Sequence, residues 1–227
     1  MDSIGDILAR TRTITFDCYG TLIDWDAGIA RSFVDIFGPV VAARRKELFE
    51  AYVRIEAEIE GGPYRSYREV LAMVVERLAR QFAWDLPPDR RDRLAELLPT
   101  WAPFADTHDA LSRLKTRYRL GVLSNIDRDL FAGTARRFPI EFDFVVTAQD
   151  VRSYKPDLPH FERFLAEHAD RGSWLHVAQS RFHDGRPANQ LGIAFVWINR
   201  YNDPVDTMVR VNAVYPDLKS LADAAKC

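Results

Sequence analysis

The sequence predicts an α/β protein: a parallel sheet covered by helices on both faces, with an all-helical unit inserted after the first strand. Three observations predict it. Residues 13–16 make a short β-branched and aromatic run that ends in a glycine loop. From about residue 26 to 99, apolar residues recur at helical spacing and no run reads as a strand. After Pro103, short apolar runs alternate with helical patterns, the signature of a sheet buried on both faces.

The elements follow in order. Thr13-Ile14-Thr15-Phe16 is a buried strand running into Asp17-Cys18-Tyr19-Gly20-Thr21. Phe33, Ile36 and Phe37 mark a first helix, and Leu48, Ala51, Tyr52, Ile55 and Ile59 a second. Val70, Met73, Val74 and Leu78 mark a third, followed by Leu94, Leu97 and Leu98. Gly61-Gly62-Pro63 and Leu86-Pro87-Pro88 punctuate them as turns. Beyond Pro103, Asp109 to Thr116 is helical, and Leu120 to Leu123 is a strand ending at Ser124-Asn125. Asp127 to Arg137 is a helix, Phe144 to Thr147 a strand, and Pro159 to His168 a helix with proline in its first turn. Trp174 to Ala178 and Ala194 to Ile198 are strands flanking a helix over Arg186 to Leu191.

Composition removes several function classes. The 227 residues carry 31 Lys and Arg against 33 Asp and Glu, a net charge of −2. A protein that binds nucleic acid through bulk charge needs a basic excess, so no nucleic-acid partner is expected. No stretch nears the roughly 20 apolar residues that span a bilayer. Asp2, Asp6 and Arg10 interrupt any signal-peptide pattern, and two cysteines cannot make a disulfide framework. Both point to a cytoplasmic protein.

In an open parallel sheet, ligands sit outside the carboxyl ends of the strands. Those ends present Asp17, Ser124, Lys155 and Asp184. Each alone has an ordinary reading as an N-cap, a turn residue or a solvated amine. Four of them at successive strand ends form a set. A carboxylate can attack as a nucleophile and form an ester, and a nearby ammonium keeps it ionised. The Tyr19-Gly20-Thr21 backbone, with the Thr21 and Ser124 hydroxyls, could hold an anionic oxygen. Asp184 could orient a water or coordinate a cation. His183 could titrate beside it, while His176 lies on a strand and Cys18 reads as a packing residue. Trp25 is placed to line the seam between the helical unit and the sheet.

These residues carry a resemblance. Phe16-Asp17-Cys18-Tyr19-Gly20-Thr21-Leu22, Leu123-Ser124-Asn125, Tyr154-Lys155-Pro156-Asp157 and Asp184 resemble, in order and spacing, the four motifs of the haloacid dehalogenase (HAD) superfamily. Val196-Trp197-Ile198-Asn199-Arg200 adds a likeness to its type II 2-haloacid dehalogenases. The resemblance implies a Rossmann-like, doubly wound core of residues 1–22 and 103–227, with a helical cap over 23–102. It implies that Asp17 displaces halide from C2 of a small 2-haloalkanoic acid, and that water then cleaves the ester without a metal or other cofactor. Ser124, Lys155 and Thr21 would hold the carboxylates of nucleophile and substrate, and Asp184 would position Lys155 and the water. Tyr19, Asn125 and Arg54 complete the expected substrate contacts.

Phosphatases of the superfamily carry a second Asp two residues past the nucleophile, as general acid for the leaving oxygen. Tyr19 stands there, and a halide needs no proton. The alternatives are an Mg²⁺-dependent phosphatase, with the ion on Asp17, the Tyr19 carbonyl and Asp184, and a binding module without turnover. The family often dimerises through helical surfaces, so a homodimer is also expected. Three departures stand out. Glu50 falls where the dehalogenases carry a halide-facing arginine, with Arg54 one turn on as its substitute. Phe161 replaces a tyrosine six residues after Lys155. The fourth motif reads Ala178-Gln179-Ser180, with one extra residue before Asp184.

Overall fold

The computed structural model describes residues 2–204 and 208–227. The chain begins with α1 (Ile4–Arg10), closed at its start by a reciprocal Ser3–Asp6 capping box, and enters β1 (Thr13–Phe16). Four helices follow without a strand between them: α2 (Trp25–Phe37), α3 (Arg45–Glu60), α4 (Tyr67–Phe82) and α5 (Arg93–Leu97). The remainder alternates: α6 (Thr107–Lys115), β2 (Arg119–Ser124), α7 (Arg128–Ala135), β3 (Phe144–Thr147), α8 (Ala148–Val151), α9 (Pro159–His168) and β4 (Trp174–Ala178). It closes with α10 (Arg186–Gln190), β5 (Ala194–Ile198), β6 (Ala213–Tyr215) and α11 (Leu218–Ala224).

The six strands among the described residues form one parallel sheet in the order β3-β2-β1-β4-β5-β6. β1 is central, with Phe16 level with Val122 on one side and Val177 on the other. The winding reverses between β1 and β4, so their carboxyl ends flank the crevice where ligands bind in such sheets. All four residues of β1 are buried, which is why an apolar run rather than an alternation encodes it.

The helical segment shares its core with the sheet. Ile29, Phe33, Tyr52 and Val74 belong to the same buried cluster as Ile14, Phe16 and Val122. The two crossings between sheet and helices lie side by side, for Ile23 bridges Pro103, and Asp24 N–H donates to the Ala102 carbonyl at 2.9 Å. At the far end of the segment, buried Asp127 accepts from the Tyr67 and Arg68 amides at 3.0 and 2.9 Å. The loop after β2 thereby caps α4. Gly28 packs so closely on Trp101 that an added Cβ would lie 2.4 Å from the indole.

Four elements, α1, α8, β6 and α11, escape the sequence reading for physical reasons. α1 is only seven residues long, α8 only four, and β6 is a three-residue edge strand whose middle residue, Val214, is exposed. α11, like α1, spans only seven residues. None of them presents an apolar stripe long enough to establish a period.

Candidate active site

Asp17 directly follows β1, and its N–H continues the ladder by donating to the Val177 carbonyl at 3.1 Å. Gly20, at φ 87°, supplies the left-handed residue that turns the chain beneath it. Thr21 Oγ1 donates to Asp17 Oδ2 at 3.0 Å and accepts from the Gln179 N–H at 3.0 Å. The Thr21 carbonyl is held by the Arg200 guanidinium at 2.8 and 3.1 Å, and Arg200 also pairs with Asp106. The loop is therefore fixed from below on both sides.

Lys155 joins the carboxylates. Its Nζ donates to Asp17 Oδ1 at 2.9 Å, Asp184 Oδ1 at 2.6 Å and the Leu123 carbonyl at 2.8 Å. Three N–H bonds meet three acceptors, so the ammonium has no donor left for a ligand. Asn125 is equally engaged: its Oδ1 accepts from the Lys155 N–H at 2.7 Å and its Nδ2 donates to the Lys155 carbonyl at 3.0 Å. Asn125 thus clamps the lysine's backbone, although it also lines the cavity.

A buried chain supports Asp184 from behind. Trp174 Nε1–H donates to Thr15 Oγ1 at 2.8 Å, Thr15 Oγ1 meets His176 Nδ1 at 2.7 Å, and His176 Nε2 meets Asp184 Oδ1 at 3.0 Å. Burial pushes the His176 imidazole below its ordinary pKa, so it is neutral. A neutral imidazole that donates from Nε2 to a carboxylate must accept at Nδ1, so Thr15 donates there.

The extra residue before Asp184 is absorbed by a turn of π-helix over Arg181–Gly185, in which the Gly185 N–H reaches the Ser180 carbonyl five residues back. A π turn holds one residue more than an α turn, so Asp184 keeps its place despite the insertion.

Burial raises the Asp17 pKa above 3.8, while Lys155 and Thr21 pull it back down. Burial likewise opposes ionisation of Asp184, but Lys155 and His176 outweigh it and hold that carboxyl at about 2. Lys155 is pushed above 10.5 against its own burial by the two aspartates. The centre is an ion triad in which Asp17 is the less firmly held carboxylate. Burial drives the Cys18 thiol well above its usual pKa, which leaves it an inert packing residue.

Asp17, Ser124, Lys155 and Asp184 line one cavity of about 430 Å³. Ser124 Oγ and Asp184 Oδ2 are buried without a hydrogen-bond partner among the described residues, so each can take a ligand or water. Tyr19 also lines it, but its hydroxyl is bound to Thr134 Oγ1 at 2.7 Å and its ring stands edge-on to Trp101. Backbone anion binding is not found at Gly20 and Thr21, whose N–H groups are spent on the Ile23 and Cys18 carbonyls. His183 lines the cavity and Trp25 does too. Burial keeps His183 below its ordinary pKa, with Nδ1 on Ser180 Oγ at 3.1 Å.

Arg54 is not brought to this site. It projects from the outer face of α3 into solvent and bonds Glu58 at 3.2 Å and Gln81 at 2.8 Å. The buried stripe of α3 is Leu48, Ala51, Tyr52, Ile55 and Ile59, and helical geometry turns residue 54 away from it. Glu50 is also on the outside, near Lys46 at 3.9 Å. The residues of α3 that do line the cavity are Phe49, Val53, Glu56 and Glu60, which the sequence reading missed. Glu56 and Glu60 flank Ile55 and Ile59 by one position, so the only signal was a glutamate pair, one turn apart, on the rim of the buried stripe. Glu56 Oε1 accepts from Tyr52 at 2.5 Å and Tyr67 at 2.7 Å. Burial raises the pKa of both glutamates, with the two tyrosines pulling Glu56 back.

A divalent cation shared by Asp17 and Asp184 would sit beside the ammonium that already joins them, cation against cation. Among the described residues no group of three or more His, Cys, Asp or Glu side chains could hold a metal.

Residues 11–173 match the family model of haloacid dehalogenase-like hydrolases. The chain is 25% identical over 206 residues to the (S)-2-haloacid dehalogenase of Pseudomonas putida, covering 86% of this chain and 87% of that one. It superposes with a TM-score of 0.83 on the L-2-haloacid dehalogenase of Xanthobacter autotrophicus with chloropropionic acid covalently bound, at 15% identity and covering 95% and 98% of the two chains. A HAD-hydrolase of Bacillus subtilis bound to magnesium matches at 0.78, with 17% identity over 96% and 100% of the chains. At these identities the solved structures establish the fold.

Proposed function

Because this chain belongs to the haloacid dehalogenase-like hydrolases, we propose that it forms and hydrolyses a covalent ester on Asp17, and that the reaction is hydrolytic dehalogenation of a small 2-haloalkanoic acid to the 2-hydroxy acid. The observation that carries this is the Asp17–Lys155–Asp184 triad at the crevice of the sheet. Lys155 and Thr21 orient Asp17, leaving a lone pair of its carboxylate to attack C2 of the substrate. The carbon–halogen bond breaks as the carbon–oxygen bond forms, and the halide leaves with the electron pair. Ser124 Oγ–H is free to meet the substrate carboxylate. Asp184 Oδ2, unpartnered, can accept from the water that then attacks the Asp17 carbonyl carbon. Tyr19 fits this chemistry because its phenol is bound to Thr134 and a halide requires no general acid. The covalent chloropropionic acid in the Xanthobacter enzyme is the precedent for the intermediate. We take residues 23–102 as the cap, since the paired crossings at Ile23–Pro103 bound them.

Halide release from 2-chloropropionate, with and without EDTA, tests the reading, with p-nitrophenyl phosphate and Mg²⁺ as the contrasting arm. Release that survives EDTA and disappears in Asp17→Asn is the expected result. Phosphate release that requires Mg²⁺, without halide release, overturns it in favour of the phosphatase.

A further inference from the structure

The wall facing the triad has the wrong charge for an anion. Trp25, Asp26, Phe49, Val53, Glu56, Glu60 and Tyr67 line the cavity from the helical segment, and none is basic. The core wall adds Tyr19 and Tyr201. Lys155, the one lysine or arginine among the lining residues, is already divided between Asp17 and Asp184. Two phenol hydroxyls converge on one oxygen of Glu56 and offset part of the burial that raises its pKa. Glu60, one turn on, has no hydrogen bond or salt bridge among the described residues and opens into the same space. The unpartnered, buried Ser124 hydroxyl, on the opposite wall of the same cavity, marks where the other end of a ligand is held. Half-buried carboxylates without a paired cation are unfavourable until one arrives, and aromatic faces beside them stabilise an alkylammonium further.

We propose that the substrate carries a cationic group, an alkylammonium, at the end remote from Asp17, where Glu56 and Glu60 hold it between Trp25, Phe49 and Tyr67. A 2-halo acid of this class presents its carboxylate and C2 to Ser124 and Asp17 and its ammonium to the glutamates. The inference rests on the ester chemistry above for where the reacting carbon lies, and adds the identity of the far end.

Calorimetric titration of the full chain with three unreactive probes tests it: choline, its neutral isostere 3,3-dimethylbutan-1-ol, and propionate. Choline binding at least about tenfold tighter than the isostere is expected. Glu56→Gln and Glu60→Gln should each weaken choline by about tenfold while leaving the neutral isostere unchanged. Equal affinity for choline and its isostere in the wild type overturns the inference, as does binding of propionate alone or of none of the three. A choline advantage that survives in the folded double variant also overturns it. Halide release is measured separately, so a protein that dehalogenates 2-chloropropionate but ignores the charge of choline keeps the ester reading and loses this one.

Discussion

Lys155 is the residue on which the site turns. Its ammonium has exchanged water for two carboxylates and a carbonyl, all at 2.6–2.9 Å. Lys155→Met leaves two buried carboxylates without their cation, which should cost about 3–5 kcal/mol in urea unfolding and abolish turnover. The pH profile should show the same electrostatics. Attack requires ionised Asp17, so kcat/KM falls as pH drops through its pKa, and burial places that acid limb above 3.8. Lys155 stays charged to above 10.5, so it adds no alkaline limb below that pH. An acid limb below 3.8 would contradict the burial argument. His176→Phe removes the donor behind Asp184 and strands the Thr15 hydroxyl. A loss of about 1–3 kcal/mol is expected, read as a shift in the urea midpoint.

At the scale of elements, the sequence carried the strands and their loops well and the helix faces poorly. Asp17, Ser124, Lys155 and Asp184 were legible because a strand end leaves a side chain few directions to point. Arg54 was not, because a helical residue turns about 100° per step, and the choice of an arginine one turn after Glu50 carried no information on direction. Glu56 and Glu60 were hidden by the same ambiguity at the edge of an apolar stripe. The inserted residue before Asp184 was visible, but its accommodation in a π turn depends on backbone bonds that no local composition specifies. Two junctions are open to test. Asp127→Ala removes the acceptor of the Tyr67 and Arg68 amides at the start of α4, leaving only the Ser66 cap, and should lower stability by about 1–2 kcal/mol in thermal melts. Gly28→Ala drives a Cβ into the Trp101 indole and should cost about 1–3 kcal/mol in the same assay.

Across the whole molecule, the parallel sheet and its helical insertion were legible from the change of texture alone, since a doubly covered sheet and a helical block bury apolar residues with different periods. The cavity between them was not. Its charge depends on which faces of α2, α3 and α4 meet the strand ends, a tertiary fact that spacing within one helix does not contain. The near-neutral chain charge of −2 conceals a local imbalance, with Asp17, Asp26, Glu56, Glu60 and Asp184 around a single lysine. No helix among the described residues is long and apolar enough to cross a membrane.

Everything proposed about turnover depends on Asp17 carrying the substrate. A single turnover of 2-chloropropionate in H₂¹⁸O, with enzyme in excess and the Asp17 peptide analysed by mass spectrometry, tests that directly. Ester formation followed by attack of water on the Asp17 carbonyl carbon predicts ¹⁸O in the Asp17 carboxylate and none in the first molecules of 2-hydroxy acid. Label in the product from the first turnover, with Asp17 unlabelled, would mean that water attacks the substrate itself and that Asp17 is not the nucleophile.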